Sequence, residues 1–174
     1  MENLDTYIEK AGIANLKELI VLTNETFCES WLESDNTDDI NIYVQENFGQ
    51  EQLQKELTDD SIIYLLLRSG ERPIAYIKLE RNANPEGFTL LRPLALHRIY
   101  VRKEYHGQRS GTKLIEAAIA IAHNEGFMNI WLGVWNVNHG AIRLYEKFGF
   151  QIFGNYQFIM GSIISDDFLM KLEL

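Results

Sequence analysis

A single α/β domain built on a mixed sheet is the architecture the sequence predicts, and three observations lead there. The 174 residues suit one ordinary domain. The first third carries apolar residues at helical spacing, whereas the rest alternates short apolar runs with two helical stretches. No internal repeat, low-complexity tract or Pro/Gly/Ser linker interrupts the chain, so residues 1–174 read as one domain.

Taken in order, Leu16, Leu19, Ile20, Leu22, Thr23 and Phe27 fall on one helix face, with Asn15 available as its cap. Asp38-Asp39-Ile40 opens a second short helix with Ile40, Tyr43, Val44 and Phe48 on one side, and Leu53 and Leu57 belong to a third. The run Ile62 to Leu67 is continuously apolar, as in a strand covered on both faces. Ser69 to Pro73 turns the chain, and Ile74 to Leu79 returns it as the next strand. Residues 82–93 read as a loop, and 94–101 as a third strand. The strongest helix spans Gly111 to Glu125, striped by Leu114, Ile115, Ala118, Ile119 and Ala122 and stopped by Gly126. A strand over 129–134 follows. Asn138 then caps a helix through Tyr145 to Phe148, Gly149 ends it, and strands over 150–153 and 168–172 finish the chain.

Composition narrows the function. At 46% hydrophobic and 24% charged the chain is globular rather than disordered. No apolar stretch approaches the roughly 20 residues of a membrane-spanning helix. The acidic start, Met1 to Asp5, lacks the basic-then-apolar order of a secretory signal, so the reading is cytoplasmic. The net charge of −9 argues against nucleic acid as main partner. Its distribution is uneven: residues 1–60 hold 3 basic and 15 acidic side chains, while 92–113 hold Arg92, Arg98, Arg102, Lys103, Arg109 and Lys113 against Glu104 alone. Such a chain either binds a cation and an anion at separate places or carries an unevenly charged solvated surface. The lone Cys28 forms no internal disulfide and has no second cysteine at zinc-ligand spacing, so no metal is expected and the thiol is read as buried.

The segment with chemistry in it runs strand, loop, helix: Arg98 to Val101, then His106-Gly107-Gln108-Arg109-Ser110-Gly111-Thr112, then Lys113 onward. A loop of this kind aims backbone N–H groups at one point beside a helix N-terminus, an arrangement that binds phosphate. Its spacing fits neither the P-loop nor the dinucleotide glycine pattern. The order resembles the acetyl-coenzyme A pyrophosphate loop of the GCN5-related N-acetyltransferases (GNAT), whose pattern is Gln/Arg-x-x-Gly-x-Gly/Ala. His106 stands at its first position, Arg109 replaces the first glycine, and Gly111 matches the last. Arg109 either crowds the site or adds a charge to the phosphates. Downstream, Asn138, Ala141, Tyr145 and Gly149-Phe150 resemble the same family's second signature. Thr26-Phe27, Gln52 to Leu57, Arg98-Ile99-Tyr100, Asn129 to Trp135 and Phe158 to Gly161 are further similar to bacterial spermidine/spermine acetyltransferases of the PaiA kind.

What the resemblance implies is a GNAT-type mixed, mostly antiparallel sheet of about six or seven strands, with splayed central parallel strands and flanking helices. It implies acetyl-CoA as co-substrate in the splay, backbone pairing from Ile99, Tyr100 and Val101, pyrophosphate on residues 106–112, and Asn138 and Tyr145 against the cofactor. Tyr145 is the implied proton donor to the thiolate. His97, near the central strand position where relatives keep a base, is either that base or a histidine of the core or surface. His123 and His139 read as structural or solvent-facing. The acceptor implied is a small primary amine, most simply a polyamine, drawn by Glu29, Glu33 and neighbouring acids and stacked against Trp135. Acetylation of a protein N-terminus or lysine, and a non-catalytic acetyl-CoA sensor, are the alternatives. A homodimer through the C-terminal strands, common in the family, is left open.

Overall fold

The computed structural model describes residues 5–31 and 36–174, so Glu33 and Asp35 lie outside the described residues. Seven strands form one sheet in the order β1-β2-β3-β4-β5-β7-β6. They are β1 (Thr6–Lys10), β2 (Ile62–Ser69), β3 (Arg72–Arg81), β4 (Pro93–Val101), β5 (Asn129–Trp135), β6 (Gln151–Met160) and β7 (Ile163–Glu173). Every pairing is antiparallel except β4 with β5. The helices are α1 (Leu16–Ser30), α2 (Thr37–Phe48), α3 (Gln50–Leu57), α4 (Ser110–Glu125) and α5 (His139–Lys147).

The helices divide between the two faces. On one, Leu114, Ile115, Ala118 and Ala122 of α4 and Ile142 and Tyr145 of α5 pack on Ile77, Leu79, Leu94, Leu96, Ile130 and Leu132. On the other, Leu19, Leu22 and Phe27 of α1, Ile40 and Phe48 of α2 and Leu53 of α3 cover Tyr64, Leu66 and Tyr76. β2 and β3 lie between both layers, which is why their sequences are apolar without alternation. They join through a two-residue loop in which Gly70 takes a φ of +57°, the hand that matches strand twist.

Six of the seven strands and all five helices coincide with segments expected from the sequence. β1 does not: it is a five-residue edge strand that pairs only with β2, and Thr6, Glu9 and Lys10 give it no apolar period. β6 and β7 run together through residues 154–167, well beyond the short strands expected, because this hairpin keeps Asn155, Tyr156, Gln157 and Ile159 exposed. Asn15 stands at the α1 N-cap without capping it. Its Oδ1 accepts from the Gly12 N–H at 2.8 Å and its Nδ2 donates to Glu18 at 2.7 Å.

The helical cap on the second face is bolted to the sheet by buried charge. Lys78 of β3 donates to Glu56 of α3 at 2.6 Å, Gln52 donates to the same carboxylate at 2.8 Å, and the Tyr64 hydroxyl donates to its second oxygen. Burial opposes ionisation of Glu56, but the donors from Lys78 and Tyr64 outweigh it and hold the carboxyl below its ordinary value. At the other end, Asp39 of α2 accepts the N–H of Ser162 at 2.9 Å and its hydroxyl at 2.5 Å, fixing α2 to the β6–β7 turn. No helix of the described residues is long and apolar enough to cross a membrane.

Candidate active site

β4 and β5 part company in mid-sheet. Their parallel pairing runs from Pro93 opposite Asn129 to Leu96 opposite Leu132 and stops. The cause lies on the other edge of β4: Lys78 pairs with Arg98 but Leu79 with Leu96, so His97 is an extra residue. A bulge bends and twists its strand, and here it turns the rest of β4 away from β5. Beyond it, residues 98–101 pair only with β3, and Gly133 to Trp135 only with β7. Two facing strand edges are thus left with backbone donors and acceptors open to a third, extended ligand.

At the open end of the splay the chain enters the basic loop. A single 3₁₀ turn at Lys103–Tyr105 leads through His106 to Gly107, with φ +74°, and Arg109, with φ +62°, before α4 begins at Ser110. Two left-handed residues let the four residues between that turn and α4 reverse direction tightly. The first turn of a helix has no internal acceptors for its N–H groups, and no backbone carbonyl turns back onto those of Ser110, Gly111 or Thr112. The His106 Nε2 donates to the Val101 carbonyl at 2.8 Å, and Gln108 donates to the Glu104 carbonyl at 2.9 Å, so both fasten the loop to its own stem. The Arg109 side chain is exposed and occupies the left-handed conformation that a glycine would take there, so the turn forms without the glycine.

Tyr100 and Tyr145 approach the splay from opposite faces. Tyr145 is buried on α5 against Phe150, and burial pushes its phenol well above the ordinary value. Tyr100 stacks on Tyr76 at 5.8 Å, and burial pushes it up to about 12. Ile99 and Val101 pack toward α4 and α5. Asn138 caps α5 by accepting the Ala141 N–H at 3.1 Å. His97 lies on the opposite face, its Nε2 2.8 Å from Glu80 and its ring edge-on to Trp131 at 5.8 Å. Burial, then the Lys78 ammonium, lower its pKa against the pull of Glu80.

Two acidic residues of α1 contact the stem of the basic loop. Glu25 pairs with Arg102, and Glu29 accepts the Lys103 N–H at 3.0 Å. Both brace the stem of the basic loop. Trp135 is half exposed and stacks on Trp31 at the end of α1 at 6.5 Å. Cys28, expected buried, is exposed because it falls off the Leu19/Leu22/Thr26/Phe27 stripe. His123 and His139 are exposed. No group of metal-ligating side chains forms among the described residues.

Sequence reading missed Trp31, Tyr156 and Asp167, which line this same side of the sheet. The available signal was Asp167 itself, an acid two residues from Leu169 in an alternating strand and therefore on its inward face.

Comparison with known proteins agrees with the geometry. The uncharacterized N-acetyltransferase of the pepI 3′ region of Lactobacillus delbrueckii subsp. lactis is 28% identical over 166 residues, 92% of each chain. The spermine/spermidine N(1)-acetyltransferase of Bacillus subtilis is 36% identical over 64 residues, 36% of this chain and 42% of that one. The PaiA N-acetyltransferase of Thermoplasma acidophilum, solved with coenzyme A, superposes with a TM-score of 0.79 at 22% identity, over 98% of this chain and 99% of that one. A sequence profile of the acetyltransferase (GNAT) family matches residues 16–150, and the chain belongs to that family.

Proposed function

We propose that this acetyltransferase moves the acetyl group of acetyl-CoA to a small primary amine, a polyamine in first instance, by direct attack in a ternary complex. The observation that carries the reading is the splay: two unpaired strand edges leading to a loop whose helix N-terminus and basic residues suit a diphosphate. The residues present fit that donor. Residues 99–101 offer backbone groups to the pantetheine arm, and an N–H aimed at the acetyl carbonyl oxygen would stabilise the charge that develops there. Residues 106–112 would hold the diphosphate, Asn138 would offer the N–H donors of its amide, and the Tyr145 phenol would give its proton to the departing sulfur.

Three features support a small cationic acceptor. The first 60 residues carry a net −12. The Trp31–Trp135 stack offers aromatic faces to an ammonium. The Asp39–Ser162 clamp and the Tyr43–Phe158 contact close the α2 side against the β6–β7 hairpin, where an extended peptide would need an open groove. The Bacillus relative, named for spermine and spermidine, agrees with that choice. Thiol release from acetyl-CoA with spermidine, spermine, putrescine, lysine, an aminoglycoside and a short peptide tests it. Turnover highest with spermidine or spermine is expected; turnover confined to the peptide would overturn the polyamine choice.

A further inference from the structure

Beside the splay, β7 carries a buried acid, Asp167, to which acetyl transfer as described assigns no role. β7 places Asp167 directly between Trp135 of β5 and Tyr156 of β6 in the sheet register. Gly133 is the first β5 residue past the parallel pairing, and a Cβ built on it would lie 2.4 Å from the Tyr156 hydroxyl. That phenol therefore lies across the β5 backbone where the splay opens, and it donates to Asp167 at 3.4 Å. Ser165 donates to the other carboxylate oxygen at 2.8 Å.

Asp167 is only 8% exposed, yet among the described residues it pairs with no lysine, arginine or histidine. Among the described residues, by contrast, Glu25 pairs with Arg102, Glu29 accepts the Lys103 N–H, Glu56 pairs with Lys78 and Glu80 with His97. A buried carboxylate with two hydroxyl donors and no cation is costly to keep, and it has lone pairs to spare. A cationic ligand would complete it.

We propose that Asp167 receives the ammonium of the acceptor and takes the proton that the nitrogen must lose before attack, with Tyr156 as its positioning residue. This rests on the acetyl-transfer reading. The ammonium gives one proton to Asp167, and its lone pair forms the N–C bond to the acetyl carbon. The C–S bond breaks with its electron pair on sulfur. Sulfur takes a proton from Tyr145, which recovers one from the nitrogen, and Asp167 returns its own to solvent, so one proton is released per turnover. Burial, with Asp166 adding to it, raises the Asp167 carboxyl against its two hydroxyl donors. The same burial disfavours the ammonium, which narrows the gap between them. The groups facing it are Asp166 on its own strand, Tyr156 from β6, Tyr100 from β4, and Tyr43 of α2 by way of Tyr156.

Asp167→Asn tests this in two ways. With spermidine, kcat/KM at pH 7 is expected to fall about 10²-fold or more and to recover as pH rises and solution supplies free amine. Acetyl-CoA affinity by calorimetry should be unchanged, and Tm at pH 8 equal to or above wild type. A wild-type rate and pH profile would overturn the proposal, as would a lower Tm with parallel loss of acetyl-CoA affinity, the mark of a structural role. Independently of turnover, carboxyl-¹³C NMR of the wild-type protein should show spermidine lowering the Asp167 titration point, and an unmoved point overturns the ammonium contact. Wild type that turns over no amine would remove the acetyl-transfer reading while this titration still decides the contact.

Discussion

Replacing Glu56 by alanine strands a charge under the helical cap, and the cost follows from its surroundings. The Glu56 and Lys78 side chains are 4% and 9% exposed, with the ammonium 2.6 Å from the carboxylate. Removing one partner of such a pair costs about 3–5 kcal/mol because the other remains buried and unpaired. For a chain of this length each kcal/mol is about 2–4 °C in Tm, giving a loss of about 6–20 °C. Removing both charges and the hydroxyl together, in Glu56→Leu/Lys78→Met/Tyr64→Phe, should restore stability to within about 2 kcal/mol of wild type. Urea unfolding of the variants measures both. The pH dependence has a definite sign. Glu56 ionises below its ordinary value in the folded state, so its contribution is full above about 4.5 and is lost as pH falls through the lowered value. A single variant losing under about 1 kcal/mol, or a combined variant losing the sum of the single ones, would refute the buried-pair reasoning. Because α3 carries Glu56 and packs on α1 and α2, the single variant should raise the acceptor KM before it weakens coenzyme binding.

Other perturbations have equally direct readouts. Tyr145→Phe should lower kcat about 10²-fold while acetyl-CoA affinity stays constant in calorimetry, since the ring that packs on Phe150 is retained. At Arg109 the backbone is left-handed, so Arg109→Gly should be at least about 1 kcal/mol more stable than Arg109→Val in urea unfolding. The His97 imidazole should titrate below about 6.5 by NMR. Its stability contribution is then present at neutral pH and lost as pH falls through 6.5 toward the lowered value. Gly133→Ala should displace the Tyr156 phenol, which a new Cβ would meet at 2.4 Å, and lower acceptor kcat/KM more than it changes Tm.

The parts of this molecule that were legible in sequence are those where local pattern and burial agree. α4 shows a full apolar stripe and a glycine stop, and Gly126 indeed ends it with a φ of +70°. Asn138 and Tyr145 lie one cap and two turns along a single short helix, so their spacing alone places them. The bulge at His97 was not legible, since it is set by pairing with β3 rather than by any residue preference. β1 and the distal β6–β7 hairpin lay beyond reach for a related reason: edge strands need no apolar period. The contacts of Glu25 and Glu29 were not legible because their partners, Arg102 and the Lys103 N–H, lie more than seventy residues away in sequence.

Acetyl transfer from acetyl-CoA to an amine beside the β4–β5 splay is the proposed reaction. Free-thiol release from acetyl-CoA, measured with the full chain against the amine panel, tests it most directly. Turnover is expected to require an amine, to be highest with spermidine or spermine, and to fall in Tyr145→Phe. Acetyl-CoA that binds in calorimetry but releases no thiol with any amine or peptide would contradict it.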